Sequence, residues 1–330
     1  MATQDVFNPD SFSLTTLTAA ILALPHIPSQ IGQAGLFEYS GVSTLTVQLE
    51  REGYSVKLID TSARGAPGKA IGRTRRDTRS FVVPHLQLND QILADEVQGV
   101  RMFGSENAAD TIDNAINKVL RIGQQSFDLT MEYHRLNALS GVLLDADGSV
   151  LYDFFSEFGV DPITVDFQLD ADTTNIRAKC DEVANAVQDE LGNLPYTGLV
   201  AYCGRNYWSK FITHPSVEKT YLNQSQAAEL RGQTEAPVDF GGIRWVKYRG
   251  AVNSSQMLPT NECRIVPVGV PGLLLGRFAP GDWLDTVNTI GLPSYARGTI
   301  REDGKGADIE MQSNPLHIVT RPRAILRGTI

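Results

Sequence analysis

The chain has 330 residues, 42% hydrophobic and 20% charged, with a formal net charge of −9. That length can bury one large core or two smaller ones, and its apolar content excludes wholesale disorder. The apolar stretches Leu17–Leu24 and Val270–Phe278 fall far short of the roughly 20 residues a bilayer-spanning helix needs, and no Lys or Arg precedes Arg51 to form a secretory n-region.

Residues 1 to 50 hold Asp5, Asp10, Glu38 and Glu50 and no base. From Thr44 to Glu50 the chain alternates, with Leu45, Val47 and Leu49 on one face and Thr46 and Gln48 on the other, which predicts a half-buried strand. Tyr54, Val56 and Leu58 repeat the alternation after Gly53. A basic segment follows, in which Arg64, Lys69, Arg73, Arg75, Arg76 and Arg79 face Asp77 alone for a net +5, while the remainder of the chain sums to −14. The run Phe81–Val83 is again apolar. Together these residues read as a long hairpin whose polar, glycine-punctuated tip has no core of its own, and an isolated two-stranded hairpin is marginal in water.

Three uses of the basic segment compete. A nucleic-acid patch is opposed by the acidity of the rest of the chain and by the lack of any stacking aromatic among the basic residues. A solvated loop would serve solubility alone. The favoured reading lays the arm of one subunit across the acidic surface of another copy, a heterologous contact that can propagate. A charged fraction below the roughly 25% of average soluble proteins points the same way, toward a surface partly covered by partners.

The strongest helix signal runs from Asn107 to Leu139, where Ile112, Ile116, Val119, Gly123, Phe127, Met131, His134 and Ala138 recur at steps of three and four. Asn107 and Asp110 suit its start, and its predicted length is roughly 48 Å. Gly123 marks a bend or a close approach. His134 is expected as a packed, hydrogen-bonded core residue. Gly141–Leu144 and Val150–Phe154 read as two strands around Asp145–Ser149, where a tight turn with Gly148 at positive φ explains the DxDG string better than a calcium loop lacking its other acidic ligands. A second helix is predicted over about Thr174–Leu191, with Ile176, Cys180, Val183, Val187 and Leu191 inward and Gly192 as its stop.

Short strands and turns follow, at Leu199–Cys203, an aromatic stretch Tyr207–Ile212, Ile243–Tyr248, Arg264–Val268 and Leu273–Arg277. A polar loop, Glu302–Gly306, precedes a strand-like run from Leu316 through Ile325. Strands that neither alternate regularly with helices nor segregate from them predict an α+β fold.

Catalytic chemistry is missing from the sequence. Gly65–Ala70, GAPGKA, resembles the end of a phosphate-binding loop, but its first glycine is one residue too close and Ala70 offers no hydroxyl to magnesium. No HExxH, GxSxG, CxxC or GxGxxG occurs, and His26, His85, His134, His214 and His317 are scattered singly. Cys180, Cys203 and Cys263, spaced by 23 and 60 residues, fit neither a disulfide framework nor a zinc site and are expected as buried reduced thiols. No catalytic, cofactor-binding or metal-ligating residue is assigned.

The order of parts resembles the major capsid protein E family of lambda-like tailed bacteriophages, whose shell fold is shared with phage Hong Kong 97 and with encapsulins. The resemblance rests on FSLTTLTAAILALPHIP (residues 12–28), GLFEYSGVSTLTVQLE (35–50), FVVPHLQLNDQILADEVQGVRMFG (81–104) and SGVLLDADGSVLYDFFSEFG (140–159), with DFGGIRWVKYRG (239–250), DTVNTIGLPSY (285–295) and SNPLHIVTRP (313–322) nearer the end.

It implies an extended N-terminal arm over residues 1–40, an E-loop hairpin over 41–95 and a peripheral domain over 96–160 with a spine helix at about 105–140. An axial domain over 161–299 and a C-terminal return strand over 300–330 complete the expected division. It further implies a structural, non-enzymatic protein of the virion with no cofactor and no membrane contact, assembling as hexamers and pentamers into an icosahedral shell around double-stranded DNA that it does not read by sequence. Assembly is expected in the host bacterial cytoplasm. The E-loop residues Arg64, Lys69, Arg73, Arg75, Arg76 and Arg79 are the expected inter-subunit contacts. No long helical segment precedes the arm, which points to a separate scaffolding protein, with a portal and a decoration protein as further candidate partners. An encapsulin-like compartment, or a nucleic-acid-binding protein using residues 64–79, are the alternatives.

Overall fold

The computed structural model describes residues 13–24, 29–51, 77–97, 112–192, 194–222, 236–252 and 255–330. The chain begins with α1 (Leu14–Ala23) and α2 (Gln30–Gln33), then β1 (Glu38–Gly41), β2 (Thr46–Arg51), β3 (Asp77–Val82), β4 (Leu86–Leu93), α3 (Ala94–Val97) and the long α4 (Ile112–Leu139). Next come β5 (Val142–Leu144), β6 (Val150–Asp153), α5 (Phe154–Phe158), β7 (Thr164–Asp166), α6 (Ile176–Leu191), β8 (Gly198–Cys203), α7 (Arg205–Thr213) and α8 (Pro215–Leu222). The strands that follow are β9 (Val238–Phe240), β10 (Ile243–Lys247), β11 (Ala251–Val252), β12 (Ser255–Gln256), β13 (Glu262–Val268), β14 (Leu274–Phe278), β15 (Tyr295–Ile300), β16 (Gly306–Ser313), β17 (Pro315–Val319) and β18 (Leu326–Thr329), with 3₁₀ turns at Leu284–Thr286 and Pro322–Ala324.

Two cores organise these elements. The larger is built on a mixed six-stranded sheet in the order β7-β18-β13-β8-β10-β9. Its central strands β8 and β13 are nearly continuous apolar runs, as strands covered on both faces must be. Helix α6 packs here through Ile176, Cys180, Val183, Val187 and Leu191, all buried; the Asn175 side chain accepts from Ala178 N at its start, and Gly192 at φ 61° ends it. The second core lies between α4, α1 and the sheet β15-β16-β4, and joins Leu17, Ile21, Phe127, Met131, Ile309 and Met311. A third sheet, β1-β14-β17, bridges the two.

Helix α4 carries the predicted inward stripe: Ile116, Phe127, Met131, His134 and Ala138 are buried. Its 28 described residues give about 42 Å, while Asn107 and Asp110 lie outside the described residues. Gly123 is a close approach, since a Cβ there would sit 2.3 Å from Met311 Sδ. His134 is fully buried edge-on to His317, with ring centroids 6.2 Å apart, but neither of its ring nitrogens has a hydrogen-bond partner among the described residues. It is packed, and the expected hydrogen bonding is corrected.

Other expectations change as well. Residues 14–23 are helical rather than extended, because Ser13 caps them by accepting from Thr16 N and Leu17 and Ile21 face the second core. The aromatic stretch Tyr207–Ile212 lies in helix α7, not in the expected strands and turns. Tyr207 and Phe211 sit one turn apart and both pack on the buried Trp245, the Phe211 and Trp245 rings only 4.2 Å apart. Phe154 starts α5 instead of ending a strand, because Asp153 accepts from Phe155 N and Ser156 N and so caps a helix. The run from Leu316 to Ile325 is broken by a 3₁₀ turn at Pro322–Ala324, so that β17 and β18 join different sheets. Leu45 is exposed, outside β2 and apart from the buried Val47. The Asp145–Ser149 turn has the predicted form, with Gly148 at φ 86° and Asp147 accepting from Ser149 N. The three cysteines are free and buried, and burial pushes the Cys180 thiol up to about 12.

Replacing Gly123 by Val forces Met311 aside and should cost about 1–3 kcal/mol; adding Met311→Ala should recover part of it in urea denaturation, whereas strictly additive losses would refute the contact. Burial pushes His134 from 6.5 down to about 4, with Asp145 opposing and Arg135 assisting. The unfolded chain accepts a proton below 6.5 that the folded chain refuses. Stability held by the neutral ring is therefore complete above that pH and is lost as the pH falls toward 4, by up to about 3 kcal/mol. Between pH 7 and about pH 4.5 the urea midpoint of His134→Leu should fall less than that of the wild type.

Candidate subunit-contact site

The hairpin that carries the basic segment is described at its root. β2 and β3 pair antiparallel from Thr46↔Val82 to Arg51↔Asp77, which places Val47 directly opposite Phe81. Both side chains enter the larger core, so the root draws on the body of the subunit for the apolar support it lacks by itself. Phe81 meets Tyr152 edge-on at 5.2 Å and lies 6.0 Å from Phe154 and 6.4 Å from Phe158. The Tyr152 hydroxyl accepts from Val82 N at 2.8 Å and donates to Val82 O at 2.9 Å, standing in for a neighbouring strand along the edge of β3.

Of the predicted contact residues, Arg79 lies in this root, half-buried, with its guanidinium carbon 5.1 Å from the Phe158 ring centroid in a cation–π arrangement. Arg64, Lys69, Arg73, Arg75 and Arg76 fall outside the described residues, as do Tyr54, Val56, Leu58, the GAPGKA stretch and His26. Sequence reasoning missed Tyr152 and Phe158 as the partners of the root. The signal available was the aromatic density of Tyr152, Phe154, Phe155 and Phe158 in one short stretch.

A second group of residues fixes the strand that leads into the hairpin. Glu132 is buried on α4; Oε1 accepts from Ile31 N at 2.9 Å and Oε2 from Gly32 N at 3.2 Å, with the Tyr248 hydroxyl and Arg135 Nη1 each at 3.4 Å. Burial, reinforced by the Glu132 charge, pushes Tyr248 up and keeps it a donor. Arg135 Nε donates to the Tyr39 hydroxyl at 2.6 Å, and Tyr39 in turn lies 3.2 Å from His317 Nε2. Burial pushes His317 well below its ordinary range, so its ring stays neutral beside Arg135. Helix α2, strand β1 and strand β17 are thus pinned to α4 through one buried carboxylate and one arginine.

This arrangement positions and supports the strands around α4. Among the described residues, no three His, Cys, Asp or Glu side chains are arranged to hold a metal ion, and no helix is long and apolar enough to cross a membrane. A groove of about 640 Å³ runs along the outer side of α4, lined by Ile122, Leu129, Tyr248 and Met257 among others.

Comparison with known proteins agrees with this picture. The family model described as phage major capsid protein E matches residues 13–330. The major capsid protein of Pseudomonas phage KPP10 is 28% identical over an alignment of 345 positions, covering 97% of each chain. That of Salmonella phage Felix O1 is 26% identical and covers 96% of this chain and 95% of its own. Among solved structures, the putative capsid protein of a prophage from E. coli CFT073 superposes with a TM-score of 0.58 at 13% identity, covering 96% of this chain and 99% of that one. The mixed α+β architecture is that of the Hong Kong 97-like capsid proteins, and the match over residues 13–330 places the chain in the phage major capsid protein E family.

Proposed function

We propose that copies of this chain assemble, as hexamers and pentamers, into the icosahedral head shell that encloses the double-stranded DNA of a tailed phage, each copy laying its basic hairpin on a neighbour. The family match over residues 13–330 carries the reading, and the anchored hairpin root supports it. In this reading residues 41–95, with β2 to β4, form the E-loop, α4 is the spine helix, residues 161–299 with α6 to α8 form the axial domain, and residues 300–330 return as the C-terminal strand. The chain acts as a wall and not as an enzyme, a component of the virion put together in the bacterial cytoplasm. A separate scaffolding protein, a portal and a decoration protein are its proposed further partners.

Electrostatics favour this use of the basic segment. The net charge of −9 keeps the wall from adhering to the genome it surrounds. The polar outward side of β4 and β16 presents Asp308 and Glu310, a small acidic surface of the kind on which Arg64, Lys69, Arg73, Arg75, Arg76 and Arg79 could lie. Each exposed ion pair adds at most about 1 kcal/mol, so strand pairing and apolar burial supply most of the cohesion between copies.

Electron microscopy of the chain co-expressed with its scaffolding protein should show closed shells. Monomers or small closed oligomers alone would refute the reading. Replacing Arg73, Arg75 and Arg76 by Ala should impair shell formation and leave weak, salt-sensitive DNA binding unchanged, whereas a steep loss of DNA affinity would favour nucleic-acid binding instead. Tyr152→Phe removes both hydroxyl contacts to Val82 and should lower subunit stability by about 1 kcal/mol in urea denaturation while slowing assembly.

A further inference from the structure

Between β14 and β15 the chain forms a loop whose backbone is held by its own polar groups. The Thr286 hydroxyl lies 2.8 Å from Trp283 O, Thr289 donates to Thr286 O at 2.7 Å, Leu292 N donates to the Tyr295 hydroxyl at 2.8 Å, and Ser313 donates to Pro293 O at 2.7 Å. Trp283 packs edge-on against Tyr295, 6.2 Å away. On this fixed frame Leu284 is 92% exposed, Ile290 70%, Val287 60% and Leu292 38%. Single exposed apolar side chains are ordinary, but four within nine residues of an ordered loop make a patch of the kind that marks an interaction surface.

The geometry points to residues 284–292 as a contact between copies of this chain, covered by a neighbouring subunit in the assembled shell. The inference rests on the shell reading above and adds a second, apolar contact to the basic hairpin. Charge composition narrows the occupant: Asp285 is the single ionisable residue from Leu284 to Leu292, so the patch offers nothing to a polyphosphate and little to a strongly charged partner. Position narrows it further. Gly291 N donates to Val42 O at 3.0 Å, and Gly41 is pressed so closely on the loop that a Cβ there would lie 2.3 Å from Gly291 O. The loop is therefore rigidly joined to the strand that feeds the hairpin, at whose root Leu45 and Val82 also face outward. In the shell reading, the surface that meets another copy continues through the hairpin root into this loop. Four aliphatic side chains supply only part of the roughly 800 Å² per partner that a stable pair needs, which suits one contact among several in a closed shell. Because the loop is already ordered, docking costs it little conformational freedom.

Two variants test the inference. Leu284→Ser combined with Ile290→Ser alters only exposed side chains, so the urea midpoint of the subunit should stay put while the concentration needed for shell formation rises at least about tenfold. In Leu284→Cys, the three native cysteines being buried, a maleimide should label the free subunit quickly and the assembled shell at least about tenfold more slowly. Equal labelling rates, assembly of the double variant at wild-type concentration, or protection that appears only when a portal or decoration protein is added would each overturn the contact while leaving the shell reading intact. Failure of the wild type to form shells would overturn both.

Discussion

Glu132 is the point on which the arm-bearing part of the molecule depends. A carboxylate buried on the face of a long helix carries a large desolvation penalty, and it is tolerated here because backbone N–H groups of Ile31 and Gly32, the Tyr248 hydroxyl and the Arg135 guanidinium all turn toward it. Removing one partner of such a pair characteristically costs about 3–5 kcal/mol, because the other charge is then stranded in the interior. That sensitivity gives α2 and β1 a defined position relative to α4 which apolar packing alone, being non-directional, would not enforce.

From that fixed strand the chain passes into the hairpin, and the same logic repeats with aromatic groups in place of charge. Val47 and Phe81 bury the root, Tyr152 caps its open edge, and Phe158 receives Arg79. In the proposed assembly the hairpin root must be rigid if contacts beyond it are to hold a neighbour in register, since a flexible base would lose on ordering what each weak contact gains. Rigid roots with individually weak contacts also suit a particle of many equivalent copies, in which no single interface has to be strong.

Local sequence patterns carried much of this organisation. Helix α6 was legible from its apolar spacing and its Gly192 stop, both local signals, while its Asn175 cap emerged only in the structure. The inward stripe of α4, the glycine turn at Gly148, the strands β8, β13 and β14 and the burial of the cysteines were legible for the same reason. The sheet β15-β16-β4 was not. Asp90 stands opposite the buried Ile309 and interrupts the apolar face of β4, which breaks the alternation, and β4 pairs with residues more than 200 positions away, as in Leu93↔Gly306. Helix α7 was obscured by aromatic residues that favour strands in isolation and are drawn into a helix by packing on Trp245.

The amino-acid order alone thus determined the periodic elements, the segregation of basic charge into residues 64–79 and the α+β class, since each depends on neighbours along the chain. Which carboxylate would be buried and satisfied, which tyrosine would close the edge of the ribbon, and that Leu284, Val287 and Ile290 would stand together in solvent were decided only by the tertiary structure. Desolvation and pairing depend on groups brought together from distant positions, and no local pattern encodes them.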